Sequence, residues 1–418
     1  MGFSGNKIPL DEEGLSPLSC KRSHNYRFPH LTDLVLHVQW RLQELLCQRL
    51  HKEGSAAKPT VNMTIKDIAR QLNISPTTVS RALKNDSRIT LEVRQKVNGV
   101  AKKVGYRPNL LARGLVSSRT HTIGYIVDNL SWSYFSELAE CVQAAAEEYD
   151  YHSYVYSSLK NAENERKGIE SFFARGVEGL LISAMEAEEN MPIYRDLAER
   201  NFPVVFLNDI PGLEADAVVT DNFLGATKVM EHLHLLGHRK IMFVGPKEDT
   251  SFKVQRLAAY RHSFQRKEDS FDLVCCEEND PLCGYRAVQS ASFSNARPSA
   301  IFGYNDIIAF GVYRGLNEIG LKIPNDVSIV GYDDLDACQL IYPPLTSVGV
   351  PLRELARIAV DLLMMRIEET RKSSAESPIP RVRQKIMVTP KLVVRNSTAA
   401  VASTQIQTDS SSTKAHDK

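Results

Sequence analysis

Several features that define membrane proteins, secreted proteins or common enzyme classes are missing from this 418-residue chain. It contains no run of 18 apolar residues and no N-terminal signal-peptide pattern, so we expect a cytoplasmic protein without a membrane span. No Walker-type phosphate loop, His-Glu-x-x-His or Gly-x-Ser-x-Gly motif occurs, which leaves an enzymatic interpretation without a recognisable catalytic centre. We therefore do not expect an enzyme.

Cysteine usage does not indicate a scaffold either. The seven cysteines form no Cys-x-x-Cys pair, and an odd number argues against a complete disulfide framework. Cys275, Cys276 and Cys283 could suggest a metal site together with His262, but no ligand spacing supports one. We expect neither a metal nor another cofactor.

Charge is distributed unevenly along the chain, although the total is close to zero. Residues 58–119 contain thirteen Lys and Arg against three Asp and Glu, whereas residues 120–418 contain 31 basic and 41 acidic residues. A strongly basic segment joined to an acidic body is the electrostatic footprint of a phosphate-binding domain. If the charge distribution is considered alone, the alternative to a phosphate-binding domain is a charged surface that is simply exposed to solvent.

Residues 64–83 hold two short helix patterns joined by a tight turn. Thr64 can cap the first helix, with Asp67 completing a capping box; Ser75 can cap the second, with Pro76 at its first position. Each pattern has one apolar face, so the two helices can pack together. Two capped helices joined in this way are typical of a helix-turn-helix, which reads DNA in the major groove.

The outward face of the second helix supports this interpretation, because it carries short polar and basic side chains suited to a major groove. These are Thr77, Thr78, Ser80, Arg81 and Lys84. A third helix is predicted from the cap Thr90 to near Gly105, and Gly99 in its middle lowers the expected regularity. Pro108 can open a further short helix, which Gly114 weakens, and composition alone would describe that stretch as a linker.

The body of the chain, about residues 120–395, alternates short apolar runs with amphipathic segments of helical length. This alternation is typical of an α/β fold with buried parallel strands, and a body of this length is large for one sheet and comfortable for two. The predicted strands are 122–127, 151–157, 179–183, 203–207, 240–245, 299–303 and 327–331, with a helix at 134–149.

Polar pairs follow four of the predicted strands, where ligands of open α/β sheets bind. They are Asp128 with Asn129, Asn208 with Asp209, Asn305 with Asp306 and Asp333 with Asp334, and the aromatic residues Tyr134 and Phe135 lie near the first pair. Carboxylates and amides suit the hydroxyls of a sugar ring, and an aromatic side chain suits its apolar face. The alternative is that several of these residues cap the next helix, but four pairs together favour a cleft.

Several motifs, in order along residues 62–395, resemble the lactose-repressor (LacI/GalR) family of bacterial transcription regulators. They are the run 64–118, Gly-His-Arg-Lys-Ile at 237–241 and Ile-Pro-Asn-Asp-Val-Ser-Ile-Val-Gly-Tyr-Asp-Asp at 323–334. The resemblance implies a small all-α helix-turn-helix headpiece with a hinge helix, followed by a periplasmic-binding-protein-like α/β core of two doubly wound lobes. It also implies three chain crossings between the lobes and an effector cleft between them.

The resemblance assigns DNA-binding roles to headpiece and hinge residues. Pro76, Thr77 and Arg81 fall on base-reading positions; Pro76 can offer only an apolar contact, and Arg81 can bind guanine through two hydrogen bonds. Leu115 matches the family's wedge leucine, which enters the minor groove, and Gly114 implies a hinge that is costlier to order. The remaining implied DNA contacts, mostly to phosphates, are Lys66, Thr78, Ser80, Asn85, Arg88 and Arg113.

The resemblance also bears on the effector. Arg256, Asn305 and Asp333 fall on effector positions of sugar-binding relatives, and Asn208 is a further candidate. Tyr134, Phe135 and Asp306 match the base-binding pattern of purine-responsive relatives. Where that pattern has an arginine, a threonine and a stacking phenylalanine, this chain has Thr250, Phe252 and Asn279. The loss of both the arginine and the stacking ring argues against a purine, so we expect a sugar or sugar derivative.

These observations divide the chain into five parts. Residues 1–62 lie outside the resemblance, and because relatives usually begin at the position of Met63, we expect translation to start there; a helical pattern in this segment could instead form an added interaction helix. We expect a helix-turn-helix domain at 63–107, a hinge helix at 108–119, an effector-binding and dimerisation domain at 120–395 and a disordered tail at 396–418. The tail lacks the leucine heptads with which some relatives form tetramers, which favours a homodimer.

The sequence thus predicts a homodimeric transcription regulator, most often a repressor in this family. It would bind pseudo-palindromic double-stranded DNA and be gated by a small-molecule effector, a carbohydrate on the grounds above. A sugar-binding transport component would share the two-lobed body but would need an export signal and no headpiece. A regulator that responds to a purine or a phosphoprotein partner remains a further alternative.

Overall fold

The computed structural model describes residues 64–106, 119–185, 188–264, 270–277, 279–372 and 382–401. They belong to two compact units, one ending at Pro108 and one starting at Asn109. The predicted N-terminal extension and most of the predicted hinge helix, including Arg113 and Leu115, lie outside the described residues. Within the described part of the chain, none of the helices combines the length and the apolar character that a membrane crossing requires.

The described residues of the first unit, 64–106, form three helices that begin at the predicted caps. Thr64 and Asp67 form a capping box, in which the Asp67 carboxylate accepts from Thr64 N at 3.0 Å. Ser75 Oγ accepts from Thr78 N at 3.0 Å, and Pro76 occupies the first position of the second helix. The helices are α1 Ile65–Leu72, α2 Pro76–Leu83 and α3 Leu91–Lys103.

One small apolar core holds these three helices together. Ile68 of α1, Val79 of α2 and Val97 of α3 are fully buried in it. Gly99 does not interrupt α3, and a Cβ placed there would meet no atom within 4 Å. The helix is therefore continuous through Gly99, where the glycine lowers its stability relative to alanine.

The second unit is built from alternating strands and helices. Its strands are β1 Thr122–Val127, β2 His152–Ser157, β3 Gly179–Ile182, β4 Val204–Phe206, β5 Ala217–Thr220, β6 Lys240–Pro246, β7 Ser270–Cys276, β8 Ala300–Gly303, β9 Ser328–Asp333, β10 Thr346–Gly349, β11 Lys385–Val388 and β12 Lys391–Val393. Over the described residues, its helices are α4 Ser133–Glu147, α5 Ala162–Ala174, α6 Met191–Glu199, α7 Asn222–Leu235, α8 Ser251–His262, α9 Pro281–Gln289, α10 Ala291–Ala296, α11 Asp306–Glu318 and α12 Leu352–Lys372.

The strands form two six-stranded sheets, ordered β11–β5–β4–β3–β1–β2 and β12–β10–β9–β8–β6–β7. The pairing of β10 with β12 is antiparallel, whereas those of β1 with β2 and β3 and of β8 with β6 and β9 are parallel. Helices cover both faces of the first sheet: Tyr125 of β1 packs with α4 and α12, whereas its neighbour Ile126 packs with α5 and α6 on the other face. This explains why the central strands are continuously apolar.

The chain passes between the two sheets three times, after β5, after β10 and between β11 and β12. Two doubly wound lobes connected in this way confirm the α/β core that the sequence predicts. The carboxyl ends of β1, β4, β6, β8 and β9 all lead to residues that face the space between the lobes.

Residues 396–401, predicted to belong to a disordered tail, are packed against the second lobe. Ser397 is fully buried; its Oγ donates to Ile329 O at 2.6 Å and accepts from Thr346 N at 2.8 Å. The predicted tail boundary at 396 is therefore wrong, because polar side chains in this stretch complete hydrogen bonds of the lobe.

Candidate functional site

A cavity of about 570 Å³ lies between the two lobes, and the carboxyl ends of strands from both sheets face it. Its volume is that of a small-molecule site. The predicted effector contacts that line it are Asp128, Asn129, Tyr134, Phe135, Asn208, Arg256, Asn305 and Asp333. The fold thus brings together side chains that lie as far apart in the sequence as Asp128 and Asp333, as the strand-end argument predicts for the polar pairs and the resemblance implies for Arg256.

One wall of the cavity, in the first lobe, is aromatic. The rings of Trp132 and Phe135 stack with centroids 6.0 Å apart, and Tyr134 meets Phe135 edge to face at 5.2 Å. Lys160 Nζ lies 4.0 Å from the centroid of the Trp132 ring, in a cation–π contact. Such a wall can cover the apolar face of a sugar ring.

Arg256 of α8 is fixed on several sides in the second lobe. Its Nε donates to Asn222 Oδ1 at 2.9 Å, and its Nη1 donates to Tyr304 O at 2.6 Å. The guanidinium carbon lies 3.5 Å from the centroid of the Tyr332 ring, and Nη2 lies 3.6 Å from Asp333 Oδ1. A ligand would therefore meet a cation whose orientation is already set.

Asp333 ends β9 in a backbone conformation that non-glycine residues rarely adopt. Its φ is +105° and that of Asp334 is +56°. Burial raises the pKa of Asp333 to about 6, and the neighbouring Arg256 guanidinium opposes this shift. Residues held in such conformations concentrate at ligand sites, which supports a role for the Asp333 carboxylate in the cavity.

Asp128 follows β1 and faces the cavity from the first lobe. Burial raises the pKa of its carboxyl to about 6; the Lys160 ammonium opposes this shift, and the Glu248 carboxylate adds to it. Glu248 follows β6 in the second lobe, so the two carboxylates influence each other from opposite sides of the cavity. Negative charge is therefore presented by both lobes.

The three predicted amides line the cavity but also hold the protein's own backbone. Asn208 accepts from Ala184 N at 2.7 Å and donates to Ala184 O at 3.0 Å. Asn305 Oδ1 caps α11 by accepting from Ile308 N at 3.0 Å, and Asn129 Oδ1 accepts from the backbone N two residues further on at 3.0 Å. The capping alternative is thus correct for Asn305, whereas Asn208 and Asn129 bond backbone groups that do not belong to the next helix.

Asp306 does not line the cavity, which corrects its assignment as an effector contact. Its carboxylate is fully buried in the second lobe, where it accepts from Ser347 Oγ at 2.5 Å and from Leu335 N at 2.8 Å. Burial, together with the nearby Asp333 carboxylate, raises the pKa of Asp306 to about 7. Its contacts join the loop that follows β9 to strand β10.

Thr250, Phe252 and Asn279, the three departures from the purine-binding pattern, all line the cavity. Thr250 caps α8 by accepting from Lys253 N at 3.3 Å. Asn279 Oδ1 accepts from Asn305 Nδ2 at 3.0 Å. This side of the cavity consequently offers the Thr250 hydroxyl, the Phe252 ring and the Asn279 amide in place of the arginine, threonine and stacking phenylalanine of the purine pattern.

A disulfide between Cys276 and Cys283, with Cα atoms 5.3 Å apart, closes a loop beside the cavity. The loop carries the lining residues Glu277, Asn279 and Asp280. One disulfide is compatible with an odd number of cysteines, and the sequence did not predict this pair. Over the described ranges, no group of three or more His, Cys, Asp or Glu side chains is arranged to hold a metal ion.

Several lining residues are not predicted from the sequence. They are Trp132, Lys160, Asn222, Glu248, Glu277, Asp280 and Tyr304. Two of them could have been predicted, because Glu248 comes just after a predicted strand and Trp132 lies beside Tyr134 in the sequence. Asn222 follows β5, which is not among the predicted strands, so nothing in the sequence indicated its place.

The headpiece presents most of the predicted DNA contacts to solvent. Those exposed are Lys66, Pro76, Thr77, Arg81, Asn85 and Arg88, whereas Thr78 and Ser80 are half-buried. Thr78 Oγ1 lies 2.8 Å from Ser75 Oγ, so its hydroxyl is already engaged at the helix cap. Arg88 pairs with Asp86 through Nε at 3.0 Å and Nη2 at 2.7 Å, and a phosphate contact would have to share this pair.

Comparison with known proteins links both units to bacterial regulators. Residues 64–109 match the description "Bacterial regulatory proteins, lacI family", and residues 230–398 match "Periplasmic binding protein-like domain". The chain is 30% identical over 341 residues to the HTH-type transcriptional repressor PurR of Escherichia coli O1:K1 / APEC, which covers 80% of this chain and 97% of that protein.

Two solved structures share the architecture. The lac repressor dimer bound to operator and the anti-inducer ONPF aligns with a TM-score of 0.70 and 24% identity, over 81% of this chain and 99% of the other. A LacI family transcriptional regulator from Enterococcus faecalis V583 with bound ribose aligns with a TM-score of 0.58 and 27% identity, over 67% of this chain and all of the other.

Proposed function

The chain belongs to the lacI family of bacterial regulatory proteins. From that premise we propose that it is a homodimeric repressor whose affinity for operator DNA is controlled by a sugar-like effector in the interlobe cavity. The observation that carries the proposal is the cavity itself: strand ends of both lobes supply fixed polar groups and an aromatic wall. A ligand that touches both lobes can favour one lobe arrangement over another, which is the requirement for gating.

Operator recognition is assigned to α2 and its flanks. Arg81 is exposed and can form two hydrogen bonds to guanine; Thr77 and Pro76, exposed beside it, can meet neighbouring base edges. Lys66, Asn85 and Arg88 are placed by this proposal on phosphates, which fix register without reading sequence. The related lac repressor is a dimer bound to operator, and a two-fold protein requires a two-fold DNA site.

The effector is proposed to be a carbohydrate. Aromatic rings for the sugar face, Arg256 with Asp333, and Asp128 supply the contacts that hydroxyl groups need. A relative at 27% identity holds ribose, which agrees with this class. The missing arginine and stacking ring, replaced by Thr250 and Asn279, oppose a purine although one relative is the repressor PurR.

A binding role, without turnover, is part of the proposal. The cavity lining of the described residues includes no histidine and no cysteine. Its Asp333 carboxylate is paired with Arg256, and Asp280 caps α9 by accepting from Cys283 N at 3.0 Å. A protein that acts on chromosomal DNA would work in the cytoplasm of a bacterium.

Selection of bound duplexes from a random DNA pool by the full chain tests the regulatory function. We expect enrichment of a sequence with two-fold symmetry, because each protomer would bind one half-site. Enrichment of an asymmetric site would contradict the dimer, and no enrichment in the absence or presence of a sugar mixture would contradict the regulator. Incubation of the same sugars with the protein, followed by product analysis, checks the absence of turnover.

A further inference from the structure

We propose that the effector carries no negative charge, so that the cavity accepts an uncharged sugar and rejects sugar phosphates and sugar acids. The inference rests on the proposed function and deepens it by naming the charge class of the ligand. It is carried by the charges around the cavity and by the engagement of its two cations.

Acidic groups outnumber basic groups in the cavity lining. Among the described residues, five carboxylates line it, against one ammonium and one guanidinium group: Asp128, Glu248, Glu277, Asp280 and Asp333, against Lys160 and Arg256. They come from both lobes, so an anion entering the cavity would meet carboxylates on either side. Like charges a few ångströms apart in a partly dry site repel strongly, whereas neutral hydroxyl groups can donate to the same carboxylates.

Arg256, the deeper of the two cations, is already engaged by the protein. Asp333 supplies its counter-charge, Asn222 and the backbone of Tyr304 accept from two of its nitrogens, and Tyr332 covers one face of the guanidinium. A phosphate is usually bound by an arginine fork that is free to make two parallel hydrogen bonds. To bind a phosphate in this way, Arg256 would have to break its ion pair with Asp333, which would leave a buried carboxylate without its partner.

Lys160, the second cation, is balanced by acids on both lobes. Its ammonium group lies over the Trp132 ring, and it is close enough to Asp128 to oppose the effect of burial on that carboxyl. Glu248 acts on Asp128 from the opposite lobe. The cluster of Lys160, Asp128 and Glu248 therefore keeps a net negative charge.

Helix N-termini, the other common anion sites, are occupied at three points of the cavity lining. Thr250, Asn305 and Asp280 each accept a backbone N–H in the first turn of α8, α11 and α9. A capped N-terminus has fewer donors left for a phosphate, and the carboxylate cap Asp280 repels one directly. At these three N-termini an anion would thus find fewer donors, whereas the N-terminus of α4, whose N-cap Trp132 makes no side-chain cap bond, is not capped in this way.

An uncharged sugar inside a bacterium is supplied by hydrolysis of a glycoside or by uptake without phosphorylation, and it is consumed by phosphoryl transfer. The regulator would consequently report the sugar before a kinase acts on it.

The test uses binding of matched sugar series to the full chain carrying Trp40→Phe, in which Trp132 of the cavity is the remaining tryptophan. The series are D-ribose, D-ribonate and ribose 5-phosphate, and D-glucose, D-gluconate and glucose 6-phosphate, with galactose and its acid and phosphate. We expect at least one neutral sugar to change the Trp132 fluorescence and its anionic partners to bind roughly 100-fold more weakly, given the repulsion of like charges at short range.

Charge variants show whether the named acids cause the discrimination. Asp128→Asn and Glu248→Gln should each reduce the affinity difference between neutral and anionic sugars by about tenfold or less, and the double variant should reduce it by more. Glu199→Gln, at an exposed carboxylate of α6 outside the cavity lining, is the matched control and should leave the gap unchanged.

Two results separate this inference from the proposed function. A sugar phosphate or sugar acid that binds as tightly as its neutral partner would overturn the inference and leave the sugar-gated regulator standing. Failure of every sugar, whatever its charge, to bind the full chain would overturn both.

Discussion

Replacement of Arg256 by lysine isolates the contribution of one fixed guanidinium to effector binding. Lysine keeps the positive charge, but one ammonium group cannot reach Asn222 Oδ1 and Tyr304 O in the geometry that Nε and Nη1 achieve at 2.9 and 2.6 Å. The charge next to Asp333 would no longer be held in place. Loss of one charge-assisted hydrogen bond to the ligand costs about 2 kcal/mol, which corresponds to roughly 30-fold weaker binding.

Lys253→Gln is the matched control on the same helix. Lys253 is as deeply buried as Arg256, but its Nζ bonds Lys247 O at 2.9 Å and Asp249 Oδ1 at 2.7 Å and does not line the cavity. Affinity for the neutral sugar is measured by Trp132 fluorescence, and thermal unfolding without ligand reports the stability of each variant. Sugar affinity within threefold of the parent protein in Arg256→Lys, or an equal loss in Lys253→Gln, would refute the reasoning.

Three further perturbations have outcomes set by particular contacts. Arg81→Ala should relax base preference at one operator position, whereas Lys66→Ala should weaken all duplexes alike and lower the salt dependence; equal effects of both in competition binding would contradict the assignment. Gly99→Ala should raise the stability of the headpiece by about 1 kcal/mol, because alanine favours a helix interior, while Gly105→Ala, at φ +65°, should lower it. Hydrogen exchange of the α3 amides measures both changes. A gain in stability in both variants would contradict the requirement for glycine at the positive φ of residue 105. Asp306 has a pKa raised to about 7 in the folded state, so it takes up protons on folding and its contribution to stability falls as pH rises from about 4 to 7. Asp306→Asn should therefore gain stability relative to the parent across that interval, by at most about 1.4 kcal/mol per pH unit. A stability difference that does not change with pH would refute this.

The fold was largely predictable because its signals are local. Helix caps at Thr64, Ser75 and Thr90 act within three residues, and buried parallel strands produce runs such as 122–127 that stand out by composition alone. Strands β5, β10, β11 and β12 were not predicted, and their place depends on partners far away in the chain. Their existence is a tertiary property.

The cavity could be located from the sequence more reliably than its chemistry. Strand ends converge by topology, so Asp128 and Asp333 were expected in one place, and the family resemblance added Arg256. Which polar atoms remain for a ligand depends on local geometry: Asn208 is taken up by the Ala184 backbone, and Asp306, one residue from a lining amide, points into the lobe. No pattern of residue types distinguishes these cases.

The central claim is that a ligand in the interlobe cavity controls operator affinity, and its most direct test is the operator dissociation constant measured with increasing neutral sugar. Linkage requires a saturable change whose midpoint follows the affinity of the sugar and an equal reciprocal effect of operator on sugar binding. We expect that change in the parent protein, and a shift of its midpoint by roughly 30-fold in Arg256→Lys, the factor that one lost charge-assisted hydrogen bond gives. Operator affinity that stays constant while Trp132 fluorescence shows the cavity to be saturated would contradict the account.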